Sequence, residues 1–258
     1  MSGNDRVLVS VSEGVATLTL NRPDKRNALD TETVQALHES VLAMDRTPDV
    51  RVMVLRGAGP DFCAGADLEQ LERIAAGADP LENIADATAL GDLFIAMRRA
   101  AKPIIAAVHG HALAGGAGLA TAADLIVASE SATFGYPEVK LGFVPAMVTA
   151  LLRRSVGEKI AFEMITLGTT FRAPDGARLG LVARVFPDDH FGPESETFVR
   201  ELAARSSSAI QLCKRLLYGI DGASFESAIA HGAEINAIAR ATPDCQEGVR
   251  RFLEKRSR

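Results

Sequence analysis

The chain has 258 residues, 47% hydrophobic and 24% charged, ordinary values for a soluble globular protein with a sizeable core. Its formal net charge of −5 gives no global attraction to nucleic acid or to a membrane surface. No apolar run approaches membrane-spanning length, residues 1–6 do not read as a signal peptide, and Cys63, Cys213 and Cys245 form no CxxC, so a reducing, cytoplasmic setting is expected.

Arg6–Val11 and Val15–Leu20 alternate around Glu13-Gly14 and predict a β-hairpin. Asn21-Arg22-Pro23-Asp24 breaks the pattern. Asp30 or Thr31 then caps a helix to about Asp45, with Val34, Leu37, Val41 and Leu42 on one face. Val52–Leu55 reads as a short buried strand. The loop Asp61–Ala66 leads to a helix from about Asp67, and residues 81–100 predict another, stopped by Pro103. Ile104–Val108 is a strand, and the glycine run after it opens a further helix. Leu125–Ala128 and Thr133–Phe134 read as short strands, with helices over 145–154 and 158–167. Ala173-Pro174 starts one more helix before the strand Val182–Phe186. From about residue 193 the pattern is wholly helical, which divides the chain into a strand-and-helix core (1–192) and a helical region (193–258). Strand–helix alternation followed by helices argues an α/β fold, leaving open whether the strands form one sheet or a spiral.

Two glycine-containing loops follow apolar strands: Phe62-Cys63-Ala64-Gly65-Ala66-Asp67-Leu68 and Ala114-Gly115-Gly116. Each presents backbone N–H groups at or near a helix start, where the helix dipole adds positive potential. Two such groups converging on one oxygen make an oxyanion hole, in which one donor is typically worth about 3–4 kcal/mol of barrier. Either loop alone is equally the sequence of a tight turn. Gly116-Ala117-Gly118 lacks the third glycine of the dinucleotide fingerprint, and neither a P-loop nor a GxSxG elbow is present. Glu138, flanked by Pro137 and Val139 in a predicted loop, is a candidate general acid or base, because apolar surroundings raise a carboxyl pKa. Asp67, Glu69 and Asp124 read as ordinary surface carboxylates, Asp67 at a helix start. His109 and His111 read as turn and packing residues, with no metal-ligand spacing.

Several stretches together resemble the crotonase, or enoyl-CoA hydratase/isomerase, superfamily. They are Asn21-Arg22-Pro23 with Asn27-Ala28-Leu29, Phe62–Leu68, Lys102–Gly110, Ala112–Leu119, Phe134–Gly142 and Leu179-Gly180-Leu181-Val182. The likeness runs from about residue 6 to Arg256. It implies a crotonase-like spiral of ββα units with a C-terminal helical trimerisation region, assembled as a homotrimer or a dimer of trimers. It also implies an acyl-CoA thioester substrate, with coenzyme A as part of that substrate and no separate cofactor or metal. By position, the backbone N–H groups of Ala66 and Gly115 form the oxyanion hole. Lys25, Arg26, Ala28, Ala64, Asp67 and Leu68 fall where the family holds CoA, and residues 81–97 shape the acyl end.

One departure matters. The family's hydratases typically carry two glutamates; Glu138 matches the second, whereas Gly118 stands at the first. The resemblance leaves three readings open. Glu138 alone hydrates a 2-enoyl-CoA in fatty-acid or branched-chain acid breakdown, or it shuttles a proton as in a Δ3,Δ2-enoyl-CoA isomerase, or the protein binds acyl-CoA with little catalysis. If water activation is limiting, Gly118→Glu is expected to raise hydration.

Overall fold

A computed structural model describes residues 6–77 and 80–256; the N-terminal residues read above as free of a signal peptide lie, apart from Arg6, outside them. The hairpin forms as β1 (Val7–Ser12) and β2 (Val15–Leu20), antiparallel and in register Val7↔Leu20. α1 (Thr31–Arg46) starts where expected, because the Asp30 side chain accepts the Thr33 N–H at 2.8 Å. β3 (Val52–Gly57), α2 (Leu68–Gly77), α3 (Pro80–Arg99) and β4 (Ile104–Val108) follow.

The glycine run does not open its helix at once. The chain first turns at Gly110, where a Cβ would stand 2.0 Å from the Pro60 carbonyl oxygen, and enters a further strand, β5 (His111–Leu113). α4 (Gly115–Ala122), β6 (Leu125–Ser129), β7 (Thr133–Gly135), α5 (Ala146–Val156), α6 (Glu158–Leu167), β8 (Thr170–Arg172), α7 (Ala173–Arg178) and β9 (Arg184–Phe186) complete the core. β5 and β8 go unmarked in the sequence pattern because His111–Leu113 sits within the glycine run and Thr170–Arg172 is squeezed between two helices.

The strands make two sheets. The larger runs β1-β2-β3-β4-β6-β9, parallel beyond the first pair; the smaller runs β5-β7-β8. Successive strands thus alternate between sheets (β4 then β5, β6 then β7) before a helix returns the chain, which is a ββα spiral rather than one open sheet. Alternation within strands sorts the core. Met53, Leu55, Ile104 and Ala106 face the main core with Leu18, Leu37 and Leu93, while Val52, Val54, Ile105 and Ala107 face the other way.

That second face is covered by α8 (Phe191–Ala203) through Val199 and Ala203. The break drawn at 192/193 therefore falls inside a helix that packs on the large sheet. α9 (Ser207–Gly219), α10 (Phe225–Ala241) and α11 (Pro243–Arg256) continue the helical region and leave Leu217, Phe225, Ile229, Phe252 and Leu253 exposed.

A buried cluster ties α9 to the core. Lys214 Nζ donates to the carbonyls of Met97 (3.0 Å) and Lys102 (3.1 Å) and pairs with Asp124 Oδ2 at 2.7 Å. Tyr218 donates to Asp124 Oδ1 at 2.7 Å, and the Ile104 N–H donates to Asp124 Oδ2 at 2.7 Å. Asp124 is therefore no ordinary surface carboxylate: it fastens the end of α4, the start of β4 and α9 together. Burial pushes the Lys214 ammonium down, and Asp124 only partly restores it.

Candidate functional site

Ala66 owes its free N–H to the way its segment pairs. Leu29 donates its N–H to the Gly65 carbonyl (2.8 Å) and accepts the Asp67 N–H (2.9 Å), a parallel bridge between Leu29 and Ala66. In such a bridge the hydrogen bonds go to the residues on either side, so the N–H of Ala66 points away from Leu29. Gly115, at the first position of α4, has a free N–H for a different reason: the opening residues of a helix have no carbonyl one turn earlier. Neither N–H donates within the chain among the described residues. The two segments are neighbours, joined by Cys63 N–H to the His111 carbonyl (2.9 Å) and Leu113 N–H to the Cys63 carbonyl (3.0 Å). A Cβ built on Gly115 would lie 3.8 Å from the Ala66 nitrogen. Gly65 permits this approach: its φ is +101°, and a Cβ there would sit 2.8 Å from the Ala114 Cβ.

The turn into α4 is strained. Ala114 has φ 48° and ψ −123°, a conformation that a residue with a Cβ rarely adopts. Such strain is of order 1–3 kcal/mol, partly offset in an Ala→Gly change by the entropy of glycine. Ala114→Gly should therefore raise stability by about 1 kcal/mol, read as a higher midpoint in urea unfolding.

β7 runs parallel to β5 with Leu113 opposite Gly135, so the residues that follow each strand leave the small sheet on the same side. Ala114 donates its N–H to the Gly135 carbonyl at 2.8 Å. Thr121 on α4 donates to the Ala117 carbonyl at 2.7 Å, so the hydroxyl of fully buried Tyr136 is the donor to Thr121 Oγ1 at 2.9 Å. Glu138 follows two residues later. It lies not in a loop but in a short 3₁₀ helix, Pro137–Leu141, closed by Gly142 and by Phe143 N–H to the Glu138 carbonyl at 3.0 Å. Its side chain is buried, and Oε2 is, among the described residues, the buried side-chain polar atom left without a hydrogen-bond partner. Burial pushes the Glu138 carboxyl above the usual range, against a smaller opposing effect of its own backbone N–H.

The remaining predicted residues divide. Asp67 is buried rather than superficial. Its Oδ2 accepts from Arg22 at 2.9 Å, and its Oδ1 accepts the N–H groups of Glu69 (3.1 Å) and Gln70 (3.3 Å), capping α2. Burial raises its pKa, but Arg22 and the amide donors outweigh this and hold it below the ordinary carboxylate range. Its carboxylate is thereby committed to holding the Ala66 loop. Lys25 pairs with Glu69 at 2.6 Å and Arg26 with Asp61 at 2.7 Å, both half-exposed at the rim beside Ala64, whose N–H donates to the Arg26 carbonyl at 2.9 Å. Ala28 is buried and Leu68 is exposed. His111 bonds Asp61 at 2.6 Å through Nδ1, and His109 approaches the Gly59 carbonyl at 2.9 Å.

Gly118 is closely packed: a Cβ built there would lie 2.4 Å from Val148 Cγ2 and 3.2 Å from Phe94 Cζ, so a glutamate at that position requires Val148 to move. Val148 and Phe94 drew no attention in the sequence because each reads simply as a core residue of its helix.

Two unused N–H groups on adjacent segments and a buried carboxylate with one unpartnered oxygen are the parts needed to polarise a carbonyl and move a proton. Residues 10–258 match the enoyl-CoA hydratase/isomerase family. The chain is 41% identical over 251 residues to a Thermus thermophilus protein named "Putative enoyl-CoA hydratase", covering 96% of this chain and 98% of the relative. It is 34% identical to the 2,3-dehydroadipyl-CoA hydratase of Escherichia coli over 97% and 96% of the two chains. Its fold superposes on the crystal structure of an enoyl-CoA hydratase from Mycobacterium smegmatis with a TM-score of 0.91 at 35% identity, covering 97% and 96% of the two. With the spiral fold and full-length matches in agreement, the chain belongs to the enoyl-CoA hydratase/isomerase, or crotonase, family.

Proposed function

We propose that this protein adds water across the 2,3 double bond of an enoyl-CoA thioester, with Glu138 as its sole acid–base residue. The observation that carries the reading is the buried, unpartnered Glu138 oxygen, on the segment that leaves β7 at the end of the small sheet where Gly115 follows β5. The thioester oxygen is held by the N–H groups of Ala66 and Gly115, which stabilise the enolate as charge moves onto it. Glu138 takes a proton from water as the oxygen bonds to C3 and returns that proton to C2. Both new bonds form on one face, so one carboxylate serves both. Coenzyme A is part of the substrate and no other cofactor is needed. Lys25, Arg26, Ala28, Ala64 and Leu68 hold the CoA portion.

The exposed apolar side chains of α9–α11 support assembly as a homotrimer or a dimer of trimers. No helix among the described residues is long and apolar enough to cross a membrane. We place the enzyme in the cytoplasm, where cysteines stay reduced, with neither nucleic acid nor membrane as partner.

A specific observation favours a second reading. With the first-carboxylate position filled by Val148 and Phe94, proton transfer between C2 and C4 of a 3-enoyl-CoA needs nothing the site lacks. The two are separated by following crotonyl-CoA for loss of enoyl absorbance and 3-hexenoyl-CoA for its appearance. Turnover of crotonyl-CoA supports hydration, and turnover of 3-hexenoyl-CoA alone supports isomerisation. Acyl-CoA binding with neither activity leaves a binding protein.

The raised Glu138 pKa gives a pH signature. Glu138 must be ionised to accept a proton, so kcat/KM for crotonyl-CoA should fall with acidification along a limb above the free-glutamate value of about 4.3. A pH–rate profile flat down to that value removes Glu138 as the base.

A further inference from the structure

Building on the enoyl-CoA reading above, we propose that Val148, backed by Phe94, is a specificity-determining wall that closes the α4 side of the acyl pocket to water and to a second acid–base group. Gly118 lies on the buried run Gly116–Ala122 of α4, and any side chain there would project into the space where α5 and α3 meet α4. That space holds hydrocarbon. Val148 Cγ2 would stand 2.4 Å from the Cβ, with Phe94 Cζ and Cε2 at 3.2 and 3.6 Å, and both side chains are almost fully buried.

A surface of methyl groups and ring carbons offers water no hydrogen-bond partner. Glu138 and Val148 also come from one stretch of chain, braced by Phe143 N–H to the Glu138 carbonyl (3.0 Å), Ala146 N–H to Val144 (2.9 Å) and Thr149 N–H to Pro145 (3.0 Å). A single braced segment thus carries both the carboxylate and the apolar side chain.

The wall sets the partition between two balanced reactions. In isomerisation the C2–H bond breaks to Glu138, the double bond moves from C3–C4 to C2–C3, and the same proton forms the new C4–H bond. In hydration an O–H bond of water breaks as C3–O forms, and Glu138 passes the proton to C2. Both pass through the enolate held by Ala66 and Gly115, and only the second needs a held water. Val148 therefore biases the enzyme toward proton transfer and limits hydration to the water that Glu138 alone can hold.

The test uses the full chain as wild type, Val148→Ala, Gly118→Glu and the double variant. Each is checked for folding by circular dichroism and for butanoyl-CoA binding by calorimetry, then assayed with crotonyl-CoA and 3-hexenoyl-CoA. Gly118→Glu alone should melt lower than wild type, and Val148→Ala in the same chain should restore the melting temperature, because it removes the clashing methyl. The double variant should gain about a hundredfold in crotonyl-CoA hydration over the wild-type rate, the scale of a placed general base. Val148→Ala alone should shift the ratio of hydration to isomerisation several-fold toward hydration.

A Gly118→Glu chain as stable as wild type overturns the wall, and so does a folded, butanoyl-CoA-binding double variant without gain. Should the double variant not fold, an unmoved product ratio in Val148→Ala overturns it instead. A wild type inactive on both substrates refutes the enoyl-CoA reading alone, since the melting temperatures of Gly118→Glu and of the double variant still test the wall without turnover.

Discussion

Glu138→Gln is expected to lower kcat by about a thousandfold, within the range a positioned general acid–base contributes, while leaving acyl-CoA affinity nearly unchanged. The substitution keeps the size of the side chain and leaves the N–H groups of Ala66 and Gly115 in place; it removes only the ability to accept and return a proton. Steady-state kinetics with crotonyl-CoA and calorimetry with butanoyl-CoA check the two halves separately. An unchanged kcat removes Glu138 from the mechanism. The same variant should be more stable than wild type at neutral pH. A carboxyl whose folded pKa is raised contributes stability below its unfolded value and loses it as pH rises through the folded value, a loss that the neutral glutamine does not suffer. The gain in melting temperature should shrink as pH falls toward the unfolded glutamate value, about 4.3. A variant that is slower and more stable at once fits a residue kept for chemistry rather than for packing.

Lys214→Met is expected to cost about 3–5 kcal/mol of folding stability, the scale of breaking one half of a buried ion pair. The ammonium is almost fully buried and joins Asp124 Oδ2 with the carbonyls of Met97 and Lys102. Methionine fills similar space but leaves Asp124 without a cation and both carbonyls without this donor. For a chain of this size the melting temperature should drop by about 10 °C. Removing both charges, as Lys214→Met with Asp124→Leu, should recover part of the loss, because the uncompensated carboxylate is then gone. A drop of less than about 2 °C in the single variant would mean that the pair does not hold α9 to the core.

What the sequence made legible follows the range of the interactions concerned. The hairpin at Glu13-Gly14, the Asp30 cap and the apolar strands Val52–Leu55 and Ile104–Val108 are set by neighbours in the chain, and they form with nearly the expected bounds. The candidate site was legible through resemblance: Ala66, Gly115 and Glu138 lie on segments that the small sheet brings together. Longer-range contacts left no local mark. Nothing near Asp124 announces Lys214, and nothing near Gly118 announces that Val148 takes up its side-chain space. Asp67 looked superficial because the residue that buries and pairs it, Arg22, belongs to the break after the hairpin. β5 and β8 carry no local strand signal, one lying within the glycine run and the other between two helices, and are fixed by their pairing with β7.

The bridges that hold Ala66 also bear on the order in which the protein can become competent. Leu29 pairs with Ala66, Cys63 with Ala112, and Leu113 with Gly135, so the proposed donor pair is complete only when stretches from distant parts of the chain have met. Contacts of such separation form slowly, since loop-closure entropy is lost before any packing compensates for it. An emerging chain that has released Ala66 but not Gly135 lacks the strand that fixes the turn at Ala114. No fragment ending before β7 should retain acyl-CoA, and ligand capture during refolding should lag behind secondary structure, reporting the closing of the small sheet.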